Sequence, residues 1–188
     1  MASKSNPRCL NMQEMVNLEK INLNQLPVIG KGVHGKVYRL DENRCLKICK
    51  KAKDMKMEYN VLKHAEGYSQ FPKVYECKGR YMIREYIDGL NIKVYIKKNG
   101  FDNNLARDLT ELIMVFIKLK FTRIDIRMSE LFVTRDHKLK IIDTTRYLDK
   151  KASYPFKMLS VLKDLGCYHL YINYLKENYP AFYKAWNK

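Results

Sequence analysis

Three of the eight glycines, Gly30, Gly32 and Gly35, fall in the single stretch VIGKGVHGKVYRL, Val28 to Leu40. The residues on either side read as strand, so the glycines mark a turn between two strands. Two uses fit such a turn. One is a flexible hairpin. The other is a lid, because glycine lets backbone N–H groups approach phosphate oxygens closely. A lone GxGxxG is weak. In a dinucleotide-binding fold it lies between a strand and a helix, whereas here the strand KVYRL follows it.

The rest of the chain decides between the two. Residues 1–16 are polar and read as a tail. From Leu26 to Ile48 the pattern is strand, glycine turn, strand, the turn DENR (Asp41–Arg44), strand. Cys45, Lys47 and Cys49 alternate, which puts all three on one face of the third strand. In KAKDMKMEYNVLKHAE, Met55, Tyr59 and Leu62 recur at helical spacing, and Gly67 can end the helix. KVYECKG and YMIREYIDG read as strands around the Lys78–Gly79–Arg80 turn. Asp88–Gly89 then breaks the pattern and is the expected boundary. Beyond it NIKVYIKKNG predicts a short helix ending at Gly100, and Asp102 can cap a long helix through NNLARDLTELIMVFIKLKF. ELFVT and KLKIID predict two short strands joined by the turn RDHK. From Tyr154 onward the chain reads as helix, with Pro155 and Pro180 as punctuation. A strand-rich half is followed by a helix-rich half.

The full pattern GxGxxGxV, carried by Gly30, Gly32, Gly35 and Val37, resembles the nucleotide-covering loop of protein kinases. The resemblance continues in order over residues 26–148: Lys47 in CLKI, Glu58 in the helix, Asp125 in RIDIRMSELFV after a long helix, and Asp143 closing KLKIID. It implies an α+β, bilobal protein kinase-like fold. Residues 17–87 would form a small antiparallel sheet lobe and 88–188 a reduced helical lobe. It implies ATP-dependent phosphoryl transfer to a protein serine or threonine hydroxyl, with ATP and magnesium or manganese as cofactors. Asp125 and Lys47 would be catalytic. Gly30, Lys31, Gly32, Val33, His34, Gly35, Val37, Cys45, Lys47, Glu58, Glu85 and Ile87 would surround ATP, and Asp143 with Glu130 would hold the metal. Lys47, paired with Glu58, would meet phosphates and that glutamate rather than the core.

The departures from that family are specific. Its His-Arg-Asp reads Arg123-Ile124-Asp125, and its Asp-Phe-Gly reads Asp143-Thr144-Thr145. Its Asp-x4-Asn loop has Glu130 in place of the asparagine, which puts a second carboxylate where an amide is usual. IIDTTR is similar to the atypical RIO kinases. The short remainder after Asp143 resembles small bacterial serine/threonine kinases and truncated effector kinases. A pseudokinase, a nucleotide-binding scaffold that recruits an acidic partner, is the alternative.

Charge bears on partners. The chain carries 36 Lys and Arg against 20 Asp and Glu, a net charge of +16, which favours an anionic partner. An acidic protein substrate fits. Nucleic acid fits less well, because no nucleic-acid motif accompanies the run Lys50, Lys51, Lys53 and Lys56, which reads as a solvated helix start. Five cysteines in no CxxC pair argue against a zinc site or a disulfide framework. No apolar leader or membrane-length run is visible, so a cytoplasmic protein is expected. A secreted effector with an uncleaved signal would look the same.

Overall fold

The computed structural model describes residues 22–187. The expected tail at 1–16 and Cys9 lie outside them. Strands β1 (Val28–Lys31), β2 (Gly35–Arg39), β3 (Arg44–Cys49), β4 (Val74–Lys78) and β5 (Tyr81–Glu85) form one antiparallel sheet in the order β1-β2-β3-β5-β4. Helix α1 (Ala52–His64) interrupts the run between β3 and β4. The turn at Lys78–Gly79 is tight enough to put Gly79 at φ 59°, which glycine adopts without strain.

Alternation in β3 gives the sheet two apolar faces. Leu46 and Ile48 point outward, where Leu46 packs with Tyr38 and Ile83 in a small cluster. Cys45, Lys47 and Cys49 share the other face, as the spacing predicted, and all three are buried. Against that inner face lies α1. Its buried residues are Met55, Glu58, Val61 and Leu62. A glutamate thus occupies the centre of an otherwise apolar helix stripe, and this position brings it to Lys47.

The second half opens with a strand the sequence pattern had not revealed. Strand β6 (Gly89–Asn91) pairs with β7 (Leu131–Thr134), which pairs with β8 (Leu139–Ile141) in a three-stranded sheet. A three-residue strand carries too little alternation to be read. Helix α2 (Ile92–Asn99) follows directly. Asn91 Oδ1 accepts from Lys93 N at its start, and Gly100 at φ 85° ends it. Helix α3 (Asn103–Lys118) starts on Asp102, whose Oδ1 accepts from Leu105 N at 2.8 Å. It buries Leu105, Leu109, Leu112, Ile113 and Phe116, side chains that each contribute about 1.5–3 kcal/mol when taken out of water.

Helices α4 (Phe156–Asp164), α5 (Tyr168–Asn178) and α6 (Pro180–Trp186) complete the described chain, with proline at the first position of α6. The fold is α+β, with six helices among the described residues. One continuous core runs from α1 and the inner sheet face, through Met55 and Met82, into α3 and the helices after it. No described helix is long and apolar enough to cross a membrane.

Candidate functional site

The continuous core carries a polar seam where the inner face of the sheet meets the chain after β8. Lys47 is 7% exposed and Glu58 is 1% exposed. The ammonium of Lys47 is hydrogen-bonded to Glu58 Oε2. Lys47 Nζ also lies 4.0 Å from Asp143 Oδ1, so one buried cation joins a strand, a helix and the loop after β8. The lysine belongs to the interior, against the expectation that it stands apart from the core.

Asp143 follows β8, and its carboxylate organises its own turn. Oδ1 accepts from the Thr145 hydroxyl at 2.8 Å and from Thr145 N at 3.4 Å. The same hydroxyl lies 3.4 Å from Glu58 Oε2. Burial pushes the Asp143 carboxyl up, but Lys47 and the Thr145 hydrogen bonds outweigh it and hold the group below the usual carboxylate range.

Asp125 sits in the loop between α3 and β7 and is buried. Its Oδ1 accepts from Lys157 N at 2.7 Å in the first turn of α4, and Arg123 Nε donates to its carbonyl at 3.0 Å. The side chain is therefore fixed by a helix N-terminus, and Oδ2 has no protein partner among the described residues. Arg123 stacks over the Tyr147 ring at 5.5 Å, which ties the Asp125 loop to the segment after Asp143. A backbone bond from Ile124 N to Ala152 O at 2.8 Å adds a second tie.

Glu130 ends the short turn Met128–Glu130. Arg127 Nη1 lies 3.3 Å from its Oε1, and the Tyr147 hydroxyl donates to Oε2 at 2.9 Å. Burial and the neighbouring Asp143 charge raise its carboxyl above the ordinary value, despite Tyr147 and the arginines. Asn91 braces this turn: its Nδ2 lies 3.1 Å from each of the carbonyl oxygens of Met128, Ser129 and Leu131.

The glycine turn closes with Gly32 N donating to Gly35 O at 2.9 Å. Its three glycines differ. A Cβ on Gly35 would meet Ile48 O at 2.0 Å, so the backbone of β3 demands glycine there. A Cβ on Gly30 would make ordinary contacts with Val37, and one on Gly32 would meet nothing within 4 Å. None of the three has positive φ. Nothing in the described packing requires glycine at 32. Lys31, Val33 and His34 are exposed at the tip, and His34 Nδ1 lies 3.2 Å from Asp54 Oδ2 in α1.

At the far end of the sheet, Cys45 Sγ lies 3.6 Å from Glu85 O. The Glu85 side chain turns away, to Lys140 and to Lys73 N, and its own N–H donates to Lys73 O at 2.8 Å. Ile87 is buried. The Lys50, Lys51, Lys53 and Lys56 side chains are exposed. A cavity of about 850 Å3 lies elsewhere, against α1 and β4, and is lined by Tyr59, Pro72, Tyr75 and Glu85 among others. Its lining includes none of Lys47, Asp125, Glu130 and Asp143, so this cavity and the charged cluster are separate places.

The resemblance put the adenine near the segment Arg84 to Ile87, but sequence reasoning missed the parts played by the Thr145, Tyr147, Asn91 and Arg84 side chains. A threonine two residues after an aspartate is a turn signal that would have found Thr145. The other three depend on tertiary pairing, for which the sequence carries no signal. Among the described residues no group of three or more His, Cys, Asp and Glu side chains is placed to hold a metal ion. Burial and the charge of Asp143 act together on the Glu130 carboxylate. No protein-family model matches the chain, and a search of the curated proteins finds no match either.

Proposed function

We propose that the chain is a minimal, atypical protein kinase that transfers a phosphoryl group from a nucleoside triphosphate, ATP in the first instance, to a serine or threonine hydroxyl. On this reading the five-stranded sheet with α1 is one lobe, the helical half is the other, and the nucleotide lies between them. The observation that carries it is the buried Lys47–Glu58 pair, with Lys47 Nζ 4.0 Å from Asp143. A lysine held by a glutamate on one side and facing an aspartate on the other is oriented to receive phosphate oxygens.

The remaining groups have compatible roles. Gly32, free of packing demands, leaves room for backbone N–H groups above the phosphates. Asp125, fixed through Oδ1 by Lys157 N, keeps Oδ2 for the substrate hydroxyl. Asp143 and Glu130 fit magnesium or manganese, hard cations that take one or two protein carboxylates and complete their shell with phosphate and water. A cation held there would neutralise charge on the transferring phosphate. The exposed lysines at the start of α1 suit an acidic protein substrate.

A second reading rests on Glu130. Both of its oxygens are engaged, by Arg127 and Tyr147, which suits a pseudokinase whose loop has become structural. The deciding experiment incubates the full chain with γ-labelled nucleotide, magnesium or manganese, and a generic basic or acidic protein acceptor, beside Asp125→Ala. Transfer above that control is expected. Labelling equal to the control, from protein that still binds nucleotide, would establish the pseudokinase reading instead.

A further inference from the structure

Arg84 has no part in the chemistry described so far. It lies on β5 and is 4% exposed, and its Nε and Nη1 are buried with no hydrogen-bond partner among the described residues. A guanidinium is a donor only, with its N–H groups in a fixed planar fork. Leaving two such donors dry and unpaired is costly, so a group like this calls for an acceptor that the protein itself does not supply.

Strand register says where that acceptor would come from. Gly35 pairs with Cys49, Lys47 with Met82, and Cys45 with Arg84. Directly paired residues share a face, so Arg84 faces the same side as Cys45 and Lys47. The rungs run in sequence along the sheet, with the glycine turn at one end, Lys47 in the middle and Arg84 at the other end beside Glu85. The Arg84 charge is felt at the Asp143 carboxyl, where it adds to the lowering by Lys47 and Thr145, and at the Cys45 thiol, which burial nonetheless pushes up. If the phosphates lie between the glycine turn and Lys47, the base lies at the Arg84 end.

We propose that Arg84 reads the acceptor edge of a 6-oxopurine, so that the cleft prefers guanine nucleotides to adenine nucleotides. Guanine presents O6 and N7 as adjacent acceptors, which match the guanidinium fork; adenine presents N7 beside the N6 amino group, a donor that would face a donor. This inference rests on the nucleotide-cleft reading above and refines its phosphoryl donor.

The test measures magnesium-dependent binding of ATP, GTP, ITP and 7-deaza-GTP to the full chain by calorimetry. ITP keeps O6 and N7 but lacks the 2-amino group, so it isolates the edge in question. GTP and ITP are expected to bind about tenfold or more tightly than ATP, the worth of a good bidentate pair. 7-Deaza-GTP is expected to lose most of that advantage. Arg84→Met should abolish the preference, and Arg84→Lys, which keeps the charge without the fork, should weaken it. Equal binding of ATP and GTP by the wild type overturns the proposal, as does an Arg84→Met protein that melts cooperatively and keeps the wild-type ratio. Should Arg84→Met fail to fold, the comparison of GTP with 7-deaza-GTP on the wild type decides alone. Folded wild type that binds no nucleotide overturns the cleft reading as well. Nucleotide binding that is lost in Lys47→Ala but blind to the base overturns only the role of Arg84.

Discussion

Replacing Lys47 by methionine tests the site through stability before any activity is measured. Lys47 and Glu58 are both buried, and Glu58 Oε1 has no partner even in the intact protein. Without the lysine, the Glu58 carboxylate keeps only the Thr145 hydroxyl, at 3.4 Å. Breaking a buried pair from one side costs about 3–5 kcal/mol. Proton uptake by the stranded carboxyl caps that near neutral pH at about 4 kcal/mol, since each pH unit above the ordinary glutamate value adds about 1.4 kcal/mol. For a chain of this length the loss corresponds to a fall in Tm of roughly 6–15 °C. The penalty should shrink as the pH is lowered toward 5, because the stranded carboxyl then takes up its proton more cheaply. In Lys47→Met with Glu58→Gln most of the stability should return, because no charge is left unpaired, while phosphoryl transfer stays absent. Thermal melts and denaturant titrations of the four proteins at two pH values give the coupling directly. A Lys47→Met protein whose Tm moves by less than about 2 °C, with a double variant that is simply additive, would refute the reasoning. Transfer activity in the double variant would remove Lys47 from the chemistry.

Gly35→Ala should destabilise by about 1–3 kcal/mol in chemical denaturation, as overpacking against a backbone does. Gly32→Ala should stay within about 0.5 kcal/mol yet lower nucleotide affinity, so unchanged affinity would remove the glycine turn from the binding site. The lowered Asp143 carboxyl contributes stability that is present above the ordinary aspartate value near 3.8 and lost as pH falls through its lower folded value. Asp143→Asn should therefore flatten the acid limb of a stability–pH curve and weaken metal-dependent nucleotide binding; an acid limb identical to wild type would contradict the pairing with Lys47. Glu130 has the opposite sign. Its raised value means that folding penalises the charged form, and the penalty is relieved as pH falls through that value. Glu130→Gln should match or exceed wild-type stability at pH 7, with the difference closing on acidification, and a pH-independent loss would show that burial does not dominate there.

The sequence carried the element order because its signals were local. Asp102 before α3, Gly100 after α2 and the alternation of Cys45, Lys47 and Cys49 each depend on neighbours a few residues away, and each is found where the local pattern put it. Strand β6 was not legible, because three residues hold no period and Gly89 reads as a breaker. Its place in a sheet depends on β7, far along the chain. The same limit hid which way the Arg84 side chain faces. Its alternation within YMIRE was visible, but which face it takes follows only from the pairing of β5 with β3. Lys47 and Glu58 could each be named from motif order, yet their burial could not, since a charged residue in a strand or helix is ordinarily a solvated one.

Glu130 marks the deeper limit, because its two uses make the same demand on the sequence. A metal ligand beside Asp143 and a structural acceptor for Tyr147 both need a carboxylate after a short turn. The structure supplies reasons for each. Tyr147 is almost wholly buried, and its hydroxyl donates to Glu130 Oε2 at 2.9 Å, so the pair pins the segment after Asp143 against the Asp125 loop. Yet the same carboxylate is raised by burial and by the neighbouring Asp143 charge, and a proton or a bound cation would relieve that repulsion. An asparagine at this position would escape the repulsion but lose the full negative charge that anchors Tyr147 and Arg127. On the kinase reading proposed above the glutamate would serve both: it ties the loop through Tyr147 and Arg127, and it would be a second carboxylate that, with Asp143, could hold a cation. On that account metal and proton compete for one group, so divalent affinity should fall on acidification earlier than Asp143 alone would dictate, and Glu130→Gln should remove the early part of that fall while keeping the loop in place.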